Sequence, residues 1–277
     1  MRKTRPTPEP RPGSAAARRR GETPRANGAG APADAGAIEI ELDGGALVAT
    51  LLRPHAQNRI SHAMGRELMD LAQTVEDDDS ILALAITGAG TAFCAGFEDD
   101  VDPQLVETLA ILSKPTVAVI NGNATDEGLE LAMALDLRAA TSDARLALTQ
   151  LVRGQLPRFG GTQRLPRLAG PAHALRMLLT GAPMPADEGL RVGLVTYVAH
   201  DREDLDRVTR ELLATLVSRG PLGMRMAKEA VCKGYDMTID QGIRLEEDLY
   251  ALLQTTSDRA EGVRAFLEKR KPLFKGA

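Results

Sequence analysis

Glu130 is the residue best set for chemistry. It stands among Leu129, Leu131, Ala132, Met133 and Leu135, an acid in an otherwise apolar, nearly all-round buried helix. Desolvation raises a carboxyl pKa toward the range useful to a general acid or base. Glu127, three residues earlier, can share one helix face with it within ~6 Å. Two carboxylates that close cannot both ionise easily, so one could keep its proton to higher pH and donate it. The opposing pull is the helix N-terminus, whose unpaired N–H groups stabilise both anions. Gln150, in Leu148-Thr149-Gln150-Leu151, offers an amide that can place a water but cannot exchange a proton near neutral pH. It reads equally well as a polar residue at a strand end. Glu98, Asp99, Asp100 and Asp102 form a charge run whose default reading is a solvated turn. A metal site is the weaker alternative, because every ligand would be a carboxylate on one loop. The four histidines show no triad or metal spacing, with His55 and His62 near the first loop and His173 and His200 reading as surface residues. Cys94 and Cys232 have no His or Cys at ligand spacing and give no disulfide framework.

The elements that must position these groups alternate between strand and helix. Thr116–Ile120 is short and β-rich enough for a strand buried on both faces, and Asn121-Gly122 breaks it. Thr125 and Asp126 then offer oxygens suited to capping the helix that carries Glu130. Before it, residues 38–42 and 47–52 read as a strand pair around Asp43-Gly44-Gly45. Ser61 caps a helix to about residue 75, 82–87 is a buried strand, and 105–112 is a shorter helix. Strand, crossover helix and strand in succession build a parallel sheet. After Gly170 helices dominate, over 172–179, 186–192, 205–218, 222–233, 239–254 and 258–269. No internal sequence repeat is visible.

The 277 residues are 43% hydrophobic, enough for one large domain or two small ones. A net charge of −4 argues against a protein that coats nucleic acid. No apolar run approaches the ~20 residues of a membrane span, and two unpaired cysteines fit a reducing cytoplasm. Residues 1–36 differ from the rest: eight Lys and Arg, three Asp and Glu, and no Leu, Ile, Val or aromatic residue. Such a segment cannot pack a core and is expected to be a disordered tail.

Asn121-Gly122, the turn that follows, and Glu130-Leu131-Ala132 with Asp136 resemble the signature of the enoyl-CoA hydratase/isomerase, or crotonase, superfamily. Further blocks stand in that family's order: Thr87-Gly88-Ala89-Gly90 with Ala92-Phe93-Cys94-Ala95-Gly96, Gly160-Gly161-Thr162-Gln163-Arg164-Leu165, Leu179-Thr180-Gly181, Ala227-Lys228-Glu229, and the closing Glu261-Gly262-Val263-Arg264-Ala265-Phe266. Their ordered spacing, over about residues 37–277, carries the resemblance.

The resemblance implies an α/β crotonase-like spiral of strand-strand-helix turns over 37–200 and a helical C-terminal region over 201–277, assembled as homotrimers or hexamers. It implies an oxyanion hole of two backbone N–H groups, on Phe97 and Glu127, that holds the oxygen of an acyl-CoA thioester as it becomes an enolate. Glu130 and Gln150 fall where the family's hydratases keep two carboxylates that activate water and protonate the α-carbon. Gln150 departs from the usual glutamate and Glu127 from the usual glycine, adding bulk and charge beside a developing anion. Ala56, Ala95, Gly96, Phe97 and Glu98 match substrate-binding segments. Phe266 and Lys269 match a C-terminal helix where a cation meets the nucleotide phosphates, although Lys269-Arg270-Lys271 also reads as a helix C-terminal charge cluster. The connection from Gly96 to Lys114 is short, implying a wider or more open acyl pocket. No metal and no cofactor is implied beyond the coenzyme A of the substrate. The simplest activity is 2-enoyl-CoA hydration. Isomerisation, thioester hydrolysis, decarboxylation, or acyl-CoA binding without catalysis are the alternatives.

Overall fold

In a computed structural model, described over residues 37–277, two sheets are wound together. The tail expected over 1–36 lies outside the described residues. The large sheet has six strands in the order β1 (Ile38–Asp43), β2 (Ala46–Leu51), β3 (Ala83–Gly88), β5 (Thr116–Ile120), β7 (Leu137–Thr141) and β10 (Tyr197–Ala199). Only β1 runs antiparallel to its neighbour. The small sheet has the order β4 (Ala92–Cys94), β6 (Asn123–Thr125), β8 (Arg145–Ala147) and β9 (Met184–Pro185), and its first three strands are parallel. After the opening pair β1 and β2, which both lie in the large sheet, each wind from β3 to β8 leaves one strand in each sheet before the next helix. This is the spiral that the resemblance implies.

Burial explains why the large-sheet strands read as continuous apolar runs. Along β5, Ala118 and Ile120 join the core between the sheets, while Val117 and Val119 join a second core on the outer face. A strand covered on both faces has no place for a polar residue. The first core is closed by α1 (His62–Asp77), α2 (Leu105–Ala110), α3 (Glu127–Ala134), α4 (Gly161–Ala169), α5 (Pro171–Thr180) and α6 (Ala186–Val192). The outer core is covered by Leu205 and Leu213 of α7 (Arg202–Val217). α8 (Pro221–Gly234), α9 (Ile239–Gln254) and α10 (Ser257–Leu267) follow. Lys228 of α8 anchors them, pairing with Asp136 at 2.7 Å and donating to the Lys114 carbonyl at 3.0 Å.

Some elements differ from the sequence expectation. α4 fills a stretch without a predicted helix, and β4, β6, β8, β9 and β10 are strands of two or three residues, too short for any periodicity to show. Asp126 stands at the N-cap of α3 but its side chain makes no capping bond. Its backbone has φ 51°, and its carboxylate accepts instead from the Thr149 N–H at 2.6 Å, the Thr149 hydroxyl and Arg153 at 2.9 Å.

Candidate active site

Phe97, Glu127 and Gln150 follow the C-terminal ends of β4, β6 and β8, adjacent parallel strands of the small sheet. Parallel neighbours end on one edge, so their three connections converge on one place, as crevices at the carboxyl ends of open parallel sheets do. Glu130 enters the same place from the first turn of α3.

Glu130 is fully buried. Its Oε1 accepts the backbone N–H groups of Phe159 and Gly161, each at 2.8 Å, and its Oε2 accepts Gln150 Nε2 at 3.1 Å. Burial raises the carboxyl pKa above the ordinary glutamic acid value. The Gly161 and Phe159 donors pull it down by less, and the nearby Glu127 charge adds a smaller rise. A carboxyl oriented by three donors and biased toward its protonated form can both take and return a proton.

Gln150 begins a 3-10 turn over Gln150–Arg153 rather than ending a strand. Its amide N–H is engaged by Glu130, while its Oε1 is buried with no hydrogen-bond partner. Such an acceptor beside a carboxylate suits a water or hydroxyl held between them. The Asp126 bonds to Thr149 and Arg153 tie α3 to this turn, so they fix the spacing of Glu130 and Gln150.

Two glycines set the approach of α3 to β4. A Cβ on Gly128 would overlap the Cys94 carbonyl, so only glycine lets the helix press this close. Gly96 has φ 118°, a left-handed value that disfavours other residues, and a Cβ there would lie 2.6 Å from Glu127 Oε2. Across this contact Glu127 Oε2 accepts the Phe97 N–H at 3.4 Å. One of the two backbone donors implied by the resemblance is thus covered by the chain's own carboxylate. The other, the Glu127 N–H, is a first-turn amide of α3 and has no intrahelical acceptor. Arg59 braces the same loop by donating to the Phe97 and Ala95 carbonyls at 2.8 and 3.1 Å. Cys94 lies behind it, and burial pushes its thiol up to about 12, which removes it as a nucleophile.

Of the substrate-binding positions, five are brought together. Ala95 donates to the Gln57 carbonyl beside Ala56, Ile60 donates to Gly96, and Glu98 donates back to Ile60, so the segments around Ala56 and Ala95–Gly96–Phe97–Glu98 run side by side. Glu98 is also paired with Arg53 at 2.8 Å. Phe266 and Lys269 are apart from this group. Phe266 is 82% exposed on α10, Lys269 follows the helix end, and among the described residues no hydrogen bond or ion pair links either one to the loops.

Four contributors went unread in the sequence. Phe159 and Gly161 hold Glu130 through backbone N–H groups, which leave no side-chain signature. Arg153 acts through Asp126. Asn58, fully buried, has φ 55° and donates to the Ala89 and Ala92 carbonyls at 2.8 and 2.7 Å. An asparagine's tolerance of left-handed backbone was the one available signal.

The family model for enoyl-CoA hydratase/isomerase matches residues 41–277. The (E)-benzylidenesuccinyl-CoA hydratase of Thauera aromatica is 35% identical over 255 residues, 87% of this chain and 99% of its own length. The crotonyl-CoA hydratase of Syntrophomonas wolfei is 35% identical over 253 residues, 86% of this chain and 97% of its own. Among solved structures, an enoyl-CoA hydratase from Bacillus anthracis is similar with a TM-score of 0.84 and 32% identity, covering 87% of this chain and all of that one.

Proposed function

Since the chain belongs to the enoyl-CoA hydratase/isomerase family, a family that processes acyl-CoA thioesters, we propose that its reaction is the hydration of a 2-enoyl-CoA. The buried Glu130 beside the unpaired Gln150 amide oxygen is the observation that supports this most. The thioester oxygen faces the Glu127 N–H, and it gains the Phe97 N–H when the Glu127 carboxylate releases that donor. A water held between Gln150 Oε1 and Glu130 gives its proton to the carboxylate as its oxygen bonds to the β-carbon. The electron pair of the double bond moves onto the thioester as an enolate. Glu130 then returns the proton to the α-carbon, so one carboxyl serves as base and acid in turn. Gln150 positions and does not titrate.

A second reading, migration of the double bond, is favoured by the same Gln150, since moving one proton between carbons needs a single carboxyl and no water. Thioester hydrolysis and decarboxylation also draw on an enolate. Acyl-CoA binding without turnover gains weight from Glu127 over the Phe97 donor. Incubation of the purified protein with a panel of acyl-CoA thioesters separates these outcomes by mass: hydration adds one water, hydrolysis frees coenzyme A, decarboxylation loses carbon dioxide, and isomerisation shifts only the chromatogram. Panel-wide lack of turnover with retained binding would overturn the catalytic reading.

The same proposal includes no cofactor beyond the substrate's coenzyme A, no nucleic-acid partner, assembly as a homotrimer or hexamer, and residence in the cytoplasm. No helix among the described residues is long and apolar enough to cross a membrane. Cys94 and Cys232 are free thiols, as a reducing compartment maintains them.

A further inference from the structure

Beside the Glu130 cluster a cleft of about 430 Å3 opens between α2 and the start of α4. Pro103 and Val106 form one apolar wall and Phe159 the other. Phe159 is the residue whose N–H holds Glu130, and its ring meets that of Phe97 edge-on with centroids 5.0 Å apart. The cleft thus shares Phe159 with the place where the acyl-CoA reading puts the reacting carbons. Three guanidinium groups line the cleft. Arg164 is paired with Glu107 at 3.0 Å and Arg167 with Asp236 at 3.7 Å. Arg158 lies over the Phe159 ring, 4.9 Å from its centroid, and no carboxylate among the described residues pairs with it. The lining keeps one positive charge in excess. A plain hydrocarbon chain would leave that charge facing nothing but water. A planar guanidinium steadied on an aromatic face matches a planar carboxylate, which it can bind through two parallel N–H bonds.

We propose that Arg158 receives a carboxylate at the far end of the acyl chain, so that the preferred thioester is a dicarboxylic acyl-CoA. This rests on the acyl-CoA reading above and adds the substrate class. Two saturated thioester pairs test it, because they cannot be hydrated: adipyl-CoA against hexanoyl-CoA and suberyl-CoA against octanoyl-CoA, each pair differing by the terminal carboxylate. Calorimetric titration of the full-length protein is expected to show about tenfold tighter binding of the dicarboxylic member of at least one pair, the scale of one charge-assisted bond. That ratio is expected to fall to about one in Arg158→Met and to be partly kept in Arg158→Lys. Equal affinities within both pairs, or a ratio unchanged in Arg158→Met, would overturn the proposal. So would equal weakening of both members, which would assign Arg158 to the coenzyme A phosphates they share. Parallel assays with the 2-enoyl counterparts test hydration separately. A preserved binding ratio without turnover would sink the hydratase reading and leave the carboxylate site standing.

Discussion

Glu127 lies across a backbone donor that would otherwise face the thioester oxygen. Removing its side chain frees the Phe97 N–H, and one such donor changes rates by about 10²-fold. Glu127→Gly is therefore expected to raise kcat/KM, by about tenfold once thioester access is shared between two donors. A fall in rate together with loss of a limb in the pH profile would show instead that Glu127 supplies a proton. Glu130 carries a second prediction. Its carboxyl must be ionised to take a proton from water, so the acid limb of kcat/KM is expected above the usual glutamic acid range of ~4.3, and Glu130→Gln is expected to lose about 10²-fold or more. Its effect on stability has the opposite sense. Because the folded protein holds this proton more tightly than the unfolded chain does, the native state gains at low pH and loses that gain as pH rises through the raised folded value. Glu130→Gln should thus melt higher than wild type at pH 7 and surrender that lead toward pH ~4; melting curves at a series of pH values read this directly. At this scale the sequence could name the side chains that the structure brings together, as with Glu130 and Gln150. It was silent on Phe159 and Gly161, which act through main-chain groups that every residue type shares. The unusual Glu127 could be seen, but not that its carboxylate turns back onto Phe97, because that contact depends on how closely Gly128 lets α3 approach β4.

At the scale of elements, the site depends on three strand ends being level, and Asp126 joins the second to the third. Its carboxylate takes up the Thr149 N–H, the Thr149 hydroxyl and Arg153 while 5% exposed. Asp126→Ala leaves the Thr149 N–H without its acceptor, at a cost of about 1–3 kcal/mol, and lets Gln150 drift from Glu130. Expected are a lower Tm and a fall in kcat larger than that of Arg153→Ala, whose exposed guanidinium is only one of three donors. An unchanged kcat in a destabilised Asp126→Ala would show that the tie serves folding alone. The long helices were readable from their apolar spacing, and α9 has the predicted bounds. α4 was hidden because Gly160, Gly161 and Pro166 read as punctuation, although Pro166 lies inside the helix. The small sheet was hidden because its strands, two or three residues long, are too short for an alternation to recur.

For the whole molecule, the C-terminal helices are the unusual part. α8 has no fully buried residue and α9 only Leu249, while Tyr235, Ile239, Tyr250, Leu252 and Phe266 are largely exposed. Exposed apolar surface on this scale favours association with further chains. Sedimentation equilibrium is expected to give three or six times the chain mass of 29.6 kDa, and a monomer at micromolar concentration would contradict the assembly. The winding of the two sheets has a different consequence, for inheritance. Phe97, Glu127 with Glu130, and Gln150 are borne on successive winds, each with its own connector. A lineage can alter one connector while the other two stay where the strands leave them. Two of the departures that the resemblance implies, Glu127 and Gln150, sit on separate winds, so they could have been acquired one at a time, each tested by selection in a fold that did not have to be found again.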